Sequence, residues 1–284
     1  MSLGHPDDVE AFRRLVLERS GLILSAEKDY LLKSRLEPIA RSEGIADVAA
    51  MLRQVRLAPT ARLAQRCIDG MATHESFFFR DNTPFDQLRE TILPALWRAR
   101  GASKSLRIWS AACSSGQEPY SLAMMLQEER ARFGDWRIDI LATDFSQPIL
   151  ERARTGLYSE FEVRRGLSEQ RQARFLVREG EAFRIAPEVR AMVQFRHHNL
   201  LDGMATLGRF DLIFCRNVLI YFDPATKAKT LEAIAGCLNP DASLILGSAE
   251  TVVGLAGAFE PTPGLRGVFR VRAPAAHAGL RIAS

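Results

Sequence analysis

The sequence predicts two domains of different class: an all-α N-terminal domain, then an α/β domain built on a mostly parallel sheet that carries a small inserted β-subdomain. Three observations carry this. The first eighty residues show helical periodicity and no convincing strand. From Ser105 five short runs rich in Ile, Leu, Val and Phe alternate with helical patterns, as in strands joined by crossover helices and covered on both faces. Between about 156 and 192 that rhythm breaks into short Arg- and Glu-rich pieces.

In chain order, Val9, Phe12 and Val16 recur at helical spacing behind Pro6-Asp7-Asp8, which opens a first helix. After Gly21, Ser25 is placed to cap a second helix with Glu27 and Asp29 in its first turn and Leu32, Leu36 and Ile39 on one face. Pro38 is expected to kink or shorten that helix. Further helical patterns cover 47–55 and 60–69, so the helical domain spans 1–80, with a linker helix over 81–104. The second domain spans 105–284. Its strands are LRIWSAA, WRIDILATD, VQFRHHNLL, FDLIFCRNV and SLILGSAE, with helices over 118–132 and 224–237 and GLRGVFRVR as a closing antiparallel strand. The Ala-rich tail, 273–284, is expected to be mobile.

Composition narrows the classes. Hydrophobic residues at 47% and charged residues at 25% of 284 leave little room for extended disorder. A net charge of +4 is compatible with an acidic partner and does not require nucleic acid. No apolar run approaches a membrane span, and the first residues carry no signal-peptide core. Four widely spaced cysteines without a C-x-x-C pair make a reduced, cytoplasmic protein the default. His197-His198 does not make a metal site, because neighbours in a strand point to opposite faces and no matching ligand set accompanies them.

The stretch SAACSSGQEPYS follows the first strand, and from Ser110 to Gly116 nothing in it is larger than Cys. Such a turn lets a ligand approach the backbone beyond the carboxyl end of the strand. Glu118 opens the next helix, and Asp144 ends the second strand, twenty-eight residues after Gly116, where a carboxylate can accept hydrogen bonds from both hydroxyls of a ribose. No G-x-G-x-x-G is present, and a carboxylate at a helix start serves a pyrophosphate poorly. An ammonium and a diol fit better, and S-adenosylmethionine carries both. Cys113 and Cys215 read as small fillers near such a ligand, since nothing marks either as an activated thiolate.

Five motifs in order, THESFFFRD (73–81), SAACSSGQEPYSLAM (110–124), ATDFS (142–146), NLL (199–201) and FDLIFCRNVLIYFD (210–223), are similar to those of the CheR-type chemoreceptor glutamate methyltransferases over nearly the whole chain. The resemblance implies a helical domain joined to a Rossmann-like class I methyltransferase domain with a small β-subdomain. It implies S-adenosyl-L-methionine as cofactor, S-adenosyl-L-homocysteine as product, and methylation of glutamate carboxylates on the cytoplasmic helices of chemoreceptors. It also implies roles. His74, Ser76 and Arg80 contact the cofactor from the interdomain segment, the Phe77-Phe78-Phe79 run fixes Arg80 at the cleft, and Glu118 takes the amino group. Asp144 takes the ribose, Asn199 and Leu200 border the adenine, Arg216 and Asn217 complete the pocket, and Arg80 and Tyr221 lie nearest the methyl-transfer site. A glutamate acceptor, with an unperturbed pKa of about 4.3, is already the nucleophile at neutral pH. Catalysis then reduces to orienting the reacting atoms about 3 Å apart.

The sequence departs from the family in three places. His74 stands where several members have Asn. Gln117 replaces a common Glu beside Glu118. Relatives often carry a row of arginines on the second helix for acidic receptor helices; here SRLEPIARSEG keeps Arg35 and Arg41 and interrupts the row with Glu37, Pro38 and Ile39. The hairpin FLVREGEAFRIAP has a short tip, which argues against a docked receptor tether. A different acceptor and a non-catalytic cofactor-sensing module remain the competing readings.

Overall fold

The computed structural model of the chain describes residues 3–255 and 257–272. The tail expected to be mobile, 273–284, lies outside the described residues. Helix α1 (Pro6–Ser20) starts with Pro at its first turn and ends at Gly21, whose left-handed φ of 73° turns its N–H onto the Leu17 carbonyl. Helix α2 (Asp29–Ser42) corrects two expectations. Ser25 makes no capping hydrogen bond, because the chain enters through a 3₁₀ turn (Ala26–Lys28) and the Asp29 N–H already bonds the Ala26 carbonyl. The helix also runs on through Pro38, which is exposed while Leu32, Leu36 and Ala40 pack inward; tertiary packing outweighs the missing N–H. Helix α3 (Val48–Leu57) is capped by Asp47, which accepts from the Ala50 N–H at 2.7 Å, and α4 (Arg62–Met71) completes the domain. Phe12, Val16, Leu32, Leu36, Met51, Leu52, Ala64, Cys67 and Ile68 form its core.

An irregular segment, 72–82, leads into α5 (Thr83–Gln87), one π-helical turn (Leu88–Ile92) and α6 (Leu93–Ala99). The second domain then runs β1 (Ser105–Ala111), α7 (Gln117–Glu128), α8 (Arg130–Phe133), β2 (Arg137–Asp144) and α9 (Gln147–Thr155). An insert follows: β3 (Leu157–Ser159), α10 (Glu160–Arg164), α11 (Glu169–Phe175), β4 (Leu176–Glu179), β5 (Ala182–Ile185) and α12 (Pro187–Arg190). The chain returns as β6 (Val193–His197), β7 (Phe210–Cys215), α13 (Pro224–Gly236), β8 (Leu238–Leu246), β9 (Phe259–Pro261) and β10 (Val268–Val271).

All five apolar runs are strands of one seven-stranded sheet ordered β6-β2-β1-β7-β8-β10-β9. The first five are mutually parallel, and β10 is antiparallel to β8 as its sequence suggested. It does not close the sheet, however: β9 pairs with its outer side. The strand order reverses between β1 and β7, so a crevice opens beyond their carboxyl ends. The insert forms a separate three-stranded antiparallel sheet, β3-β5-β4.

The insert is closely fitted to the irregular segment. Gly166 has φ 109°, and a Cβ there would sit 1.9 Å from the Phe78 carbonyl oxygen. Backbone against backbone leaves no flexible atom to give way. Gly166→Ala is therefore expected to destabilise the protein by on the order of 2 kcal/mol, read as a lowered denaturation midpoint; an unchanged midpoint would show that this contact is dispensable.

Candidate active site

The turn after β1 is strained. Ala112 and Ser114 have φ of 54° and 52°, and Gly116 has φ 93°. Left-handed geometry is costly for non-glycine residues and persists only where the surroundings impose it. Here the Cys113 N–H bonds the Thr143 carbonyl at 2.8 Å and Tyr158 donates to the Ser115 carbonyl at 2.6 Å. A Cβ on Gly116 would meet Ala153 and the Tyr158 hydroxyl, each at 3.1 Å. Small residues thus satisfy packing from behind as well as access from the front. Asp144, at the end of β2, is buried and accepts from the Ser114 N–H at 2.9 Å and the Ser146 N–H at 3.0 Å. Burial pushes its carboxyl above the ordinary range, against the pull of those two hydrogen bonds.

Glu118 sits in the first turn of α7. One carboxylate oxygen accepts from the Ser110 hydroxyl at 2.8 Å and the other from Arg216 at 3.1 Å. Burial raises this carboxyl as well, opposed chiefly by the Arg216 charge. Arg216, just beyond β7, has a side chain only 1% exposed. Its second amino group donates to the Arg80 carbonyl at 2.9 Å and to Asp81 at 2.8 Å. One guanidinium therefore joins β7, α7 and the irregular segment.

That segment is held from both domains. Arg35 on α2 donates to the Met71 carbonyl, to the Ala72 carbonyl at 3.3 Å and to the Thr73 hydroxyl at 3.0 Å. It is thereby engaged at the start of the segment rather than presented on an outward basic row. The Phe79 N–H bonds the Ser121 hydroxyl at 2.9 Å, and Phe78 and Phe79 are buried. Burial lowers the pKa of His74, with the Asp144 charge acting in the opposite direction. Among the described residues seven non-glycine positions have positive φ, and six of them (Phe79, Asp81, Asn82, Ala112, Ser114, Asn217) line the cavity or lie within two residues of its wall.

His74, Ser76, Arg80, Glu118, Asp144, Arg216, Asn217 and Tyr221 are brought together on the wall of one cavity, joined there by Leu22, Phe77 and Cys113. Asn199 and Leu200 are not on that wall. Asn199 donates to the Arg19 carbonyl at 2.6 Å and accepts from the Leu201 N–H at 3.1 Å, which turns its amide towards the end of α1; Leu200 is buried in the core beside Met204 and Phe210. Burial also raises the Cys113 and Cys215 thiols, which keeps both uncharged. His197 meets the Phe145 carbonyl at 2.7 Å, while His198 stands edge-on to Trp109.

One residue escaped the sequence reading. Glu250, in the loop after β8, accepts from the N–H groups of Asn217, Leu219 and Gly247 at 2.8 Å each and from Val218 at 2.9 Å. It fixes the turn that carries Asn217, at φ 59°, and Tyr221. A lone Glu in a loop gives no local signal for a partner some thirty residues upstream.

A switch-point crevice in this sheet order, with one carboxylate in the first turn of α7 and another at the end of β2, fits the class of Rossmann-like methyltransferases. Comparison with known proteins narrows this. Residues 7–71 match the family described as CheR methyltransferase, all-alpha domain, and residues 74–268 match CheR methyltransferase, SAM binding domain. The chain is 39% identical over 259 residues to the chemotaxis protein methyltransferase Cher2 of Pseudomonas putida, covering 90% of this chain and 94% of that protein. It is 40% identical over 252 residues to chemotaxis protein methyltransferase 1 of Pseudomonas aeruginosa, covering 87% and 91%. It is 39% identical over 252 residues to the chemotaxis protein methyltransferase of Vibrio parahaemolyticus, covering 88% and 90%. The chain belongs to the CheR methyltransferase family, and S-adenosylmethionine is its cofactor. The cavity suits that ligand: Ser114 Oγ is buried on its wall without a hydrogen-bond partner, and the carboxylates of Glu118 and Asp144 on the same wall suit a cation and hydroxyls better than phosphate. Among the described residues no helix is long and apolar enough to cross a membrane.

Glu118 and Asp144 hold their protons more tightly than ordinary carboxyls, whereas an ammonium and a diol favour the ionised forms. Cofactor binding should therefore release protons, and its dissociation constant should rise as the pH is lowered from neutral. Glu118→Gln should bind more weakly at neutral pH and with a flatter pH profile, both read by calorimetry. Glu250→Gln, with one acceptor oxygen in place of two charged ones, should lose about 2 kcal/mol of stability, seen as a lower unfolding midpoint.

Proposed function

We propose that this protein transfers the methyl group of S-adenosylmethionine to glutamate side-chain carboxylates on the cytoplasmic helices of chemoreceptors, forming methyl esters in the cytoplasm. The observation that carries the reading is Arg80. It lines the cavity with Glu118, Asp144 and Tyr221, donates to the Glu75 carbonyl at 3.0 Å and stands over the Phe77 ring at 5.2 Å. The carboxylate close enough to act on it, Glu75, is hydrogen-bonded to Arg165 instead, and a cation so placed beside a cofactor cleft is suited to an anionic acceptor. The names of the relatives, chemotaxis protein methyltransferases, support the same choice.

On this reading Asp144 holds the ribose hydroxyls, Glu118 the amino group, and His74, Ser76, Arg216 and Asn217 the remaining polar edges. When bound, the cofactor supplies a methyl group already activated on a sulfonium. The acceptor carboxylate is ionised at neutral pH and needs no general base. Arg80 draws it in and orients it, and the Tyr221 hydroxyl positions one of its oxygens. Arg216 and Glu250 act behind them by fixing the backbone that carries both. Asn199 and Leu200, two and three residues beyond β6, border the adenine on this reading.

The test is to incubate the protein with methyl-labelled S-adenosylmethionine and receptor-bearing membranes, treat the protein fraction with mild base and collect volatile label. Released methanol is expected. No base-labile label, from protein shown to bind the cofactor, would overturn the receptor reading. Arg80→Ala should lower turnover by about a hundredfold while retaining cofactor binding; unchanged turnover would remove Arg80 from the reaction.

A further inference from the structure

Two residues of the cavity wall, Glu75 and Phe77, are contacted from the insert by Arg165. Phe77, half-buried on the cavity wall, carries two guanidinium groups: Arg80 at 5.2 Å from the ring centroid and Arg165 at 4.2 Å. Arg165 follows α10 and is followed by Gly166, whose lack of a side chain permits the approach to the Phe78 carbonyl. That approach brings a charge from the insert to the rim of the site. Arg165 also donates to the Glu75 carboxylate at 2.8 Å, and both partners remain exposed, at 44% and 54%. An ion pair this open contributes little and exchanges readily with another carboxylate. By contrast, Arg35 and Arg216 are engaged within the fold.

We propose that Arg165 is an acceptor-specificity residue that receives a second acidic side chain of the acceptor, with Glu75 as the internal group this side chain displaces. The inference rests on the reading of the acceptor as a glutamate-bearing helix and deepens it. A helix rises about 5.4 Å per turn, so carboxylates one or two turns apart can reach two cations that flank a single ring. Arg80 orients the carboxylate at the cavity while Arg165 holds its neighbour. The acceptor is thus a helix with at least two acids on one face, and an isolated glutamate binds less well.

The test uses the full chain loaded with S-adenosylhomocysteine and a labelled synthetic helical peptide bearing two glutamates one turn apart. A companion peptide has the second glutamate replaced by glutamine. Binding is followed by fluorescence anisotropy. Arg165→Gln should weaken the two-glutamate peptide about fivefold at low salt, leave the companion unchanged, and lose its effect at high salt. Glu75→Gln should tighten the two-glutamate peptide by removing the competitor. Equal affinity of wild type and Arg165→Gln for the two-glutamate peptide overturns the proposal, as does equal weakening of both peptides, which would mark Arg165 as structural. The unfolding midpoint and cofactor affinity of each variant, measured in parallel, show that the fold is retained. Because these readouts are binding and not methylation, failure to form base-labile esters would count against the reaction alone.

Discussion

The buried guanidinium of Arg216 is the interaction on which the rest of the site depends. Removing a full charge from water costs several kcal/mol unless partners replace the solvent. Here three partners do so from two elements: Glu118 on α7, and Asp81 and the Arg80 carbonyl on the irregular segment. The requirement works both ways. Glu118 is itself 14% exposed, and without Arg216 its ionised form would lose the main influence that opposes burial. One residue beyond β7 therefore fixes the orientation of the carboxylate from α7 and the position of the segment that delivers Arg80. Glu250 does for the backbone of 217–219 what Arg216 does for the side chains, since a fixed carboxylate collects N–H groups that the sheet cannot satisfy.

These charges hold a strained scaffold. Six left-handed non-glycine residues cluster at the cavity wall. Each is unfavourable alone and is sustained by hydrogen bonds or burial at its neighbour: Ser114 by Asp144, Asn217 by Glu250, Phe79 by Ser121. Strain concentrated in this way takes backbone N–H groups out of regular helix or strand and gives them to side chains, those of Asp144, Glu250 and Ser121.

The parts of this arrangement legible in the sequence are those encoded by short-range pattern. Strands betray themselves by composition and spacing, and Glu118 and Asp144 by their offset from strands that ought to end at one crevice. Resemblance supplied the 73–81 segment, which no periodicity marks. What was illegible is set by long-range pairing. The amide of Asn199 turns to the Arg19 carbonyl, 180 positions away, and nothing near either residue announces it. Arg35 looks like one member of a basic row, yet its guanidinium matches three oxygens at Met71, Ala72 and Thr73 and folds inward. Strand β9, only three residues long with Pro261 at its end, is too short to carry an alternation. Pro38 misled in the other direction, because a local penalty was judged without the core that overrides it.

The distribution of charge also constrains where a rate enhancement can come from. Glu118, Asp144 and Arg80 share the cavity wall, and Arg165 touches it at Glu75 and Phe77, so on the proposed reading the cofactor's cation and the acceptor's carboxylate are each met by an opposite charge. In the proposed reaction a sulfonium and a carboxylate both become neutral. The charge that draws the reactants together is already fading at the transition state, and a field that favours separated charges stabilises the ground state at least as well. In that reaction the electrostatics of the site serve capture and release: they attract two charged reactants and relinquish two neutralised products. Acceleration must come from alignment instead, and alignment is what the buried Arg216 network, the Glu250 anchor and the strained turns provide. A site built for that purpose has no need of a poised base, and its rigidity is as much a part of the chemistry as any group that touches the acceptor.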